Sequence, residues 1–128
     1  MAEMSNYLEN ALLNVTLRAT AYTAPTTVYV GLYTTDPTDA NTGTEVSGGS
    51  YARVAVTMGA PSNGVSTNSA AVTFPTATGT WGTVGWIGIL DASTSGNLLY
   101  HTPLDASKSI TAGDIFTIAI GNLSVTLG

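Results

Sequence analysis

Two periods divide the chain. Through its first twenty residues the apolar positions Met4, Leu8, Ala11, Leu12 and Val15 recur at helical spacing, and Leu13 and Leu17 widen the stripe. Glu3, Asn6, Asn10, Asn14 and Arg18 fall elsewhere. Ser5 stands where an N-cap belongs, and Glu9 lies near the positive end of the helix dipole. The spacing predicts a helix over residues 1–22. So apolar a helix needs a cover, either a sheet or a second copy of the chain.

After Pro25 the period becomes two. In residues 26–33 Val28, Val30 and Leu32 alternate with Tyr29 and Tyr33. In 52–58 Val54 and Val56 share a face with Ala52, and in 82–92 Val84, Trp86, Gly88 and Leu90 oppose Gly85, Ile87 and Ile89. Residues 69–75, 97–104, 114–120 and 122–128 complete the strand candidates. Turn-rich segments 36–49, 60–68, 92–96 and 104–113 separate them. Short strands at this spacing predict a mainly β, antiparallel sandwich of about seven to eight strands with one N-terminal helix. Strands and helices do not alternate, which argues against a parallel α/β fold. The chain reads as a single domain over 1–128, its sandwich occupying 26–128. The connection 34–50 is long for a compact domain, and such loops are functional or flexible.

Composition narrows the function. Charged residues are 9% and apolar residues 44%, where ordinary globular chains carry about a quarter charged. The surface is therefore covered largely by Thr, Ser, Asn and Gly, which suits β-structure and close subunit packing. Net charge is −5, with Arg18, Arg53 and Lys108 the only cations. Three scattered cations cannot provide the counterion release that nucleic-acid binding requires, and an anionic membrane would repel the chain. The N-terminus lacks the basic flank and unbroken apolar core of a signal peptide. There is no cysteine, hence no disulfide, thiolate metal site or cysteine nucleophile.

The candidate chemistry is thin. Gly48 and Gly49 lack the lysine and following helix of a phosphate loop; they are read as backbone devices leading into a strand, with Arg53 free to pair with Glu45 or Asp39. Asp36, Asp39, Asn41 and Glu45 offer calcium-type oxygens, but their spacing is not an EF-hand's, and they are ordinary turn formers. His101 is the only histidine, too few for an ordinary zinc site and without a nucleophile elbow for a serine triad, so it is read as structural or interfacial. No catalytic, metal-binding or cofactor-binding residue is expected, and no cofactor. Trp81 and Trp86 serve either as core and interface anchors or as a sugar-stacking platform.

The phrases "VGLYT-DPT", "TEVSGGSYAR", "WGTV--IGI-DA", "GNLLYH-PL" and "AGD-F-I" resemble a family of short bacteriophage virion proteins, known as tail-fibre-like or minor capsid proteins. The resemblance covers nearly the whole chain. It implies a structural role, in a protein made in the host cytoplasm and assembled onto the virion. The leading expectation is a capsid decoration or cement protein that bridges subunits of the head, since the chain lacks the repeats and heptads common in fibre shafts. Its partners would be the major capsid protein and copies of itself. Leu8, Leu12 and Val15 on the helix, with Tyr51 and Arg53 beside the long loop, are the expected interface residues. The alternative is a tail or tail-fibre component binding a carbohydrate host receptor through Trp81 and Trp86. An enzyme ranks third.

Overall fold

The computed structural model of the protein describes residues 2–127. Nine strands and one α-helix follow in order: β1 (Glu3–Met4), α1 (Asn6–Leu17), β2 (Val28–Tyr33), β3 (Val54–Val56), β4 (Val65–Thr67), β5 (Val72–Thr73), β6 (Gly82–Leu90), β7 (Leu98–Ile110), β8 (Thr117–Ile118) and β9 (Ser124–Thr126). The expected class holds: the fold is mainly β, antiparallel, with an N-terminal helix.

Ser5 begins the helix as its sequence predicts. Its backbone is extended, at φ −73° and ψ 159°, and its hydroxyl accepts from Leu8 N at 3.2 Å. The same hydroxyl donates to the Leu98 carbonyl, so the cap also fastens the helix to β7. The helix is shorter than predicted. Glu3 and Met4 are drawn into the sheet opposite His101 and Tyr100, and the last turn closes with Arg18 N donating to Asn14 O.

One five-stranded sheet runs β1-β7-β6-β2-β3, every neighbouring pair antiparallel. Two ribbons, β4-β9 and β5-β8, stand apart from it. A single apolar cluster joins all three: Val30, Leu32, Ile87 and Ile89 from the sheet meet Val72, Ile118 and Val125 from the ribbons. Asn68 is the polar knot between the ribbons. It is buried, donates through Nδ2 to Ala70 O and Ala119 O, and accepts at Oδ1 from Leu123 N. Buried amides stay in native cores only when satisfied in this way.

Three predictions of strand position are revised. The segment 104–113, read as a turn, continues β7 to Ile110, because its backbone pairs with β6 from Gly82 to Val84. Its side chains from Asp105 to Ser109 are exposed, so no apolar alternation marked it. β4 falls inside the predicted turn 60–68, and β1 inside the predicted helix.

The opposite face of the sheet is shaped by glycine. Gly31 and Gly88 face each other across β2 and β6. A methyl at Gly88 would come within 2.7 Å of Leu98 Cδ1 and 2.9 Å of Tyr33 Cε1, and one at Gly31 within 2.9 Å of Glu45 Oε2. The two glycines leave a flat strip on which Tyr33, Leu98 and the Glu45 carboxylate lie. Gly88→Ala is therefore expected to destabilise the fold by about 1–3 kcal/mol, through overpacking against buried neighbours. Urea unfolding of the two proteins measures it, and an unchanged midpoint would contradict the packing argument.

Candidate functional site

The glycine-rich stretch around Glu45 builds a clamp rather than a ligand loop. After the long excursion from Thr34, the chain returns beside β2: Thr34 N donates to Thr44 O, and Val46 N to Leu32 O, both at 2.9 Å. This aims the Glu45 side chain over Gly31. Arg53 meets it as a two-pronged pair, Nε to Oε2 and Nη2 to Oε1, each at 2.8 Å. The remaining guanidinium nitrogen, Nη1, donates to Ala92 O at 2.9 Å and Ser95 O at 2.8 Å, in the turn between β6 and β7. The planar fork of arginine suits this task where a lysine would not.

Tyr51 completes the clamp. Its hydroxyl donates to Glu45 Oε2 at 2.6 Å and accepts from Leu32 N at 2.9 Å. It thereby fills a gap in the hydrogen-bond ladder between the start of β3 and the returning loop. Burial, then the bond to Glu45, push the Tyr51 phenol well above its usual range. Burial raises Tyr33 to about 12, with the Glu45 charge adding to the effect. The bond to Glu45 raises Arg53 further, against the opposing effect of its burial. Gly48 and Gly49 do adopt positive φ, 76° and 57°. Gly49 must be glycine for a second reason: a methyl there would lie 2.9 Å from Trp81 Nε1, which donates to the Gly49 carbonyl at 2.9 Å.

The expected interface residues are thus divided by the fold. Tyr51 and Arg53 are engaged inside the protein. Leu8 is buried and Leu12 half-buried, while Val15 is exposed. The outward side of α1 instead centres on Leu13 and Leu17, one turn apart and 56% and 75% exposed, while Tyr7 and Val15 are exposed elsewhere around the helix. Leu13 and Leu17 were the residues that merely widened the predicted stripe. The tryptophan pair is divided too. Trp81 is 4% exposed and stands edge-on to Tyr51, with ring centroids 5.4 Å apart, so it offers no open face in this chain. Trp86 is half-buried.

The oxygens of loop 34–50 do not converge on one point. Glu45 is held by Arg53, Asn41 Oδ1 accepts from Tyr33 at 3.1 Å, and Asp36 Oδ1 accepts from Thr38 N at 2.9 Å. Asp39 turns to His101, its Oδ1 lying 2.8 Å from Nε2. The imidazole is 5% exposed, and carboxylates face both of its nitrogens. Sequence alone could not place Asp39, 62 positions distant, beside it.

Two outcomes follow from the clamp. Glu45→Gln is expected to cost about 2–4 kcal/mol, because it leaves a largely buried guanidinium without its counter-charge; chemical denaturation reads the loss, and a change under about 0.5 kcal/mol, the usual range of a neutral surface substitution, would contradict it. The raised phenols also set an alkaline limit. Their folded pKa values exceed the unfolded value near 10, so their contribution is complete below about pH 10 and is lost as pH rises toward the folded values. Of the six tyrosines, Tyr33 and Tyr51 should ionise only with unfolding. Phenolate absorbance followed together with circular dichroism checks this: a single ionisation step with the fold intact would contradict it.

Comparison with known proteins now adds to this geometry. No curated protein matches the chain. A family model does, over residues 3–126, and so takes in the helix, the clamp and every strand to β9. This bears out the resemblance to short phage virion proteins. The chain belongs to the family described as podophage GP4 fiber I protein gp80, a family of phage virion proteins.

Proposed function

We propose that the chain is a passive structural subunit of the phage fibre, joined to neighbouring copies through the outward side of α1. The family match carries this reading, since its description names a fibre protein and the match takes in 3–126. The exposed Leu13 and Leu17 support it, because apolar side chains standing together on one face favour burial against a partner. A clamp that uses its arginine, glutamate and tyrosine internally supports a rigid, non-catalytic block. Rigidity lowers the cost of ordering when subunits associate. Closed symmetric association is the default for such a block.

Head decoration is the second reading, with the major capsid protein as partner. It is favoured by the absence of heptads or repeats from which a shaft would be wound. In that position the domain would hold joints of the shell by binding energy that must be lost before the shell opens. A glycan-binding role would rest on Trp86 without Trp81.

Separating heads from tails and fibres of the parent particle, then quantifying the chain in each by mass spectrometry, tests the proposal. The chain is expected with the tails and fibres; many copies confined to heads would replace this reading with the decorative one. Leu13→Asp with Leu17→Asp should leave the isolated fold intact and reduce incorporation into particles at least tenfold, about 1.4 kcal/mol of association free energy. Undiminished incorporation would remove the helix from the contact.

A further inference from the structure

We propose that Glu3, Asp39 and His101 form a binding site for a divalent transition ion of the zinc type, which bolts the N-terminal strand and the long loop to the sheet. The three residues come from three separate segments: β1, the 34–50 loop and β7. Their ligand atoms all lie within 4.8 Å of one another. His101 Nε2 is 2.8 Å from Asp39 Oδ1 and 3.9 Å from Glu3 Oε2. Zinc bonds to nitrogen and oxygen of about 2.0–2.2 Å place ligand atoms roughly 3.0–3.5 Å apart. The Asp39 contact needs a slight expansion and the Glu3 contact a slight contraction, both open to exposed carboxylate side chains.

Four features set this group apart from an ordinary surface carboxylate cluster. Its centre is a buried imidazole, and imidazole is the ligand that favours zinc and its neighbours over calcium or magnesium. The backbone holds the ligands in place beforehand. Glu3 and His101 are directly opposite one another across β1 and β7, and the Asp39 carbonyl accepts from Asn6 N at 2.9 Å. The other ring nitrogen, Nδ1, faces Asp36 Oδ1 at 3.9 Å. A metal-bound histidine generally directs its second N–H at a carboxylate, which fixes the tautomer and strengthens the ligand. In the metal-bound form Nε2 is the ligand, and the ring's remaining proton sits on Nδ1, toward Asp36. Finally, three carboxylates gather around this one ring, and among the described residues no lysine or arginine pairs with them. A bound cation balances that charge. With three protein ligands, water completes the shell, and the exposed carboxylates leave a path from solvent.

His101 is the sole histidine, so its ring signals report on the site without assignment ambiguity. The test titrates zinc chloride into nitrogen-15-labelled, EDTA-dialysed full chain, with histidine-ring NMR and thermal unfolding as readouts. The expected result is a shift of Nε2 to its metal-bound position, saturating at one equivalent, with Nδ1 protonated. The unfolding midpoint should rise by several degrees and fall back with EDTA. In Glu3→Gln with Asp39→Asn, whose exposed positions leave the core untouched, both responses should be lost. Unchanged ring signals in excess zinc would overturn the proposal. So would an equal response in the double variant, which would place the zinc on other groups.

Discussion

The pairing of Glu45 with Arg53 is the constraint on which the sheet's upper end depends. It is a local contact by sequence, yet it ties distant parts together. The guanidinium holds the returning loop with one edge and the β6–β7 turn with the other. Tyr51 then lends its hydroxyl to a backbone N–H that no strand reaches. Removing any one of the three leaves a polar group inside the protein without its partner, and the cost of an unmade bond there exceeds the net gain of a made one. The flat strip at Gly31 is what gives the carboxylate room. A sheet with ordinary side chains at that position could not accept this clamp.

With so few charges, the chain relies on hydrogen bonds from neutral groups and on backbone placement for its specificity. Asn68 does for the ribbons what Arg53 does for the sheet, binding segments that have little secondary structure of their own. Two-stranded ribbons are marginal alone. Here they are held by a shared apolar cluster and by one amide whose oxygen and nitrogen are both engaged.

Much of the fold was legible because it follows from local rules. Ser5 lies one helical turn before a buried leucine, and the period-two runs around Val30, Val56 and Ile87 mark strands with a covered face. The Glu45–Arg53 pairing was visible as one of two possibilities, since only one cation lies near the loop. The second half of β7 was not legible, because both its faces are wet and its order comes from pairing with β6. Which side of the helix stays exposed was not legible, for a related reason. Periodicity finds the apolar stripe but not its centre, and docking on β7 buries Leu8 while leaving Leu13 and Leu17 outside. Trp81 could be read from the sequence either as a core anchor or as an open platform, and the structure buries it amid glycine and threonine. Those small residues are what allow the chain to close over it.

The order of strands also carries a consequence for synthesis. β1 lies at one edge of the sheet, and its partner is β7, almost a hundred residues later. The cap of α1 closes on Leu98 and Leu99. At ribosomal rates of about 5–20 residues per second, β1 and α1 therefore wait roughly 5–20 s for their seat. Through that interval the apolar helix has no sheet to lie on. The helix is made well before the strand that receives it, so on the ribosome it stands uncovered, open to neighbours or to a chaperone, until β7 has been added.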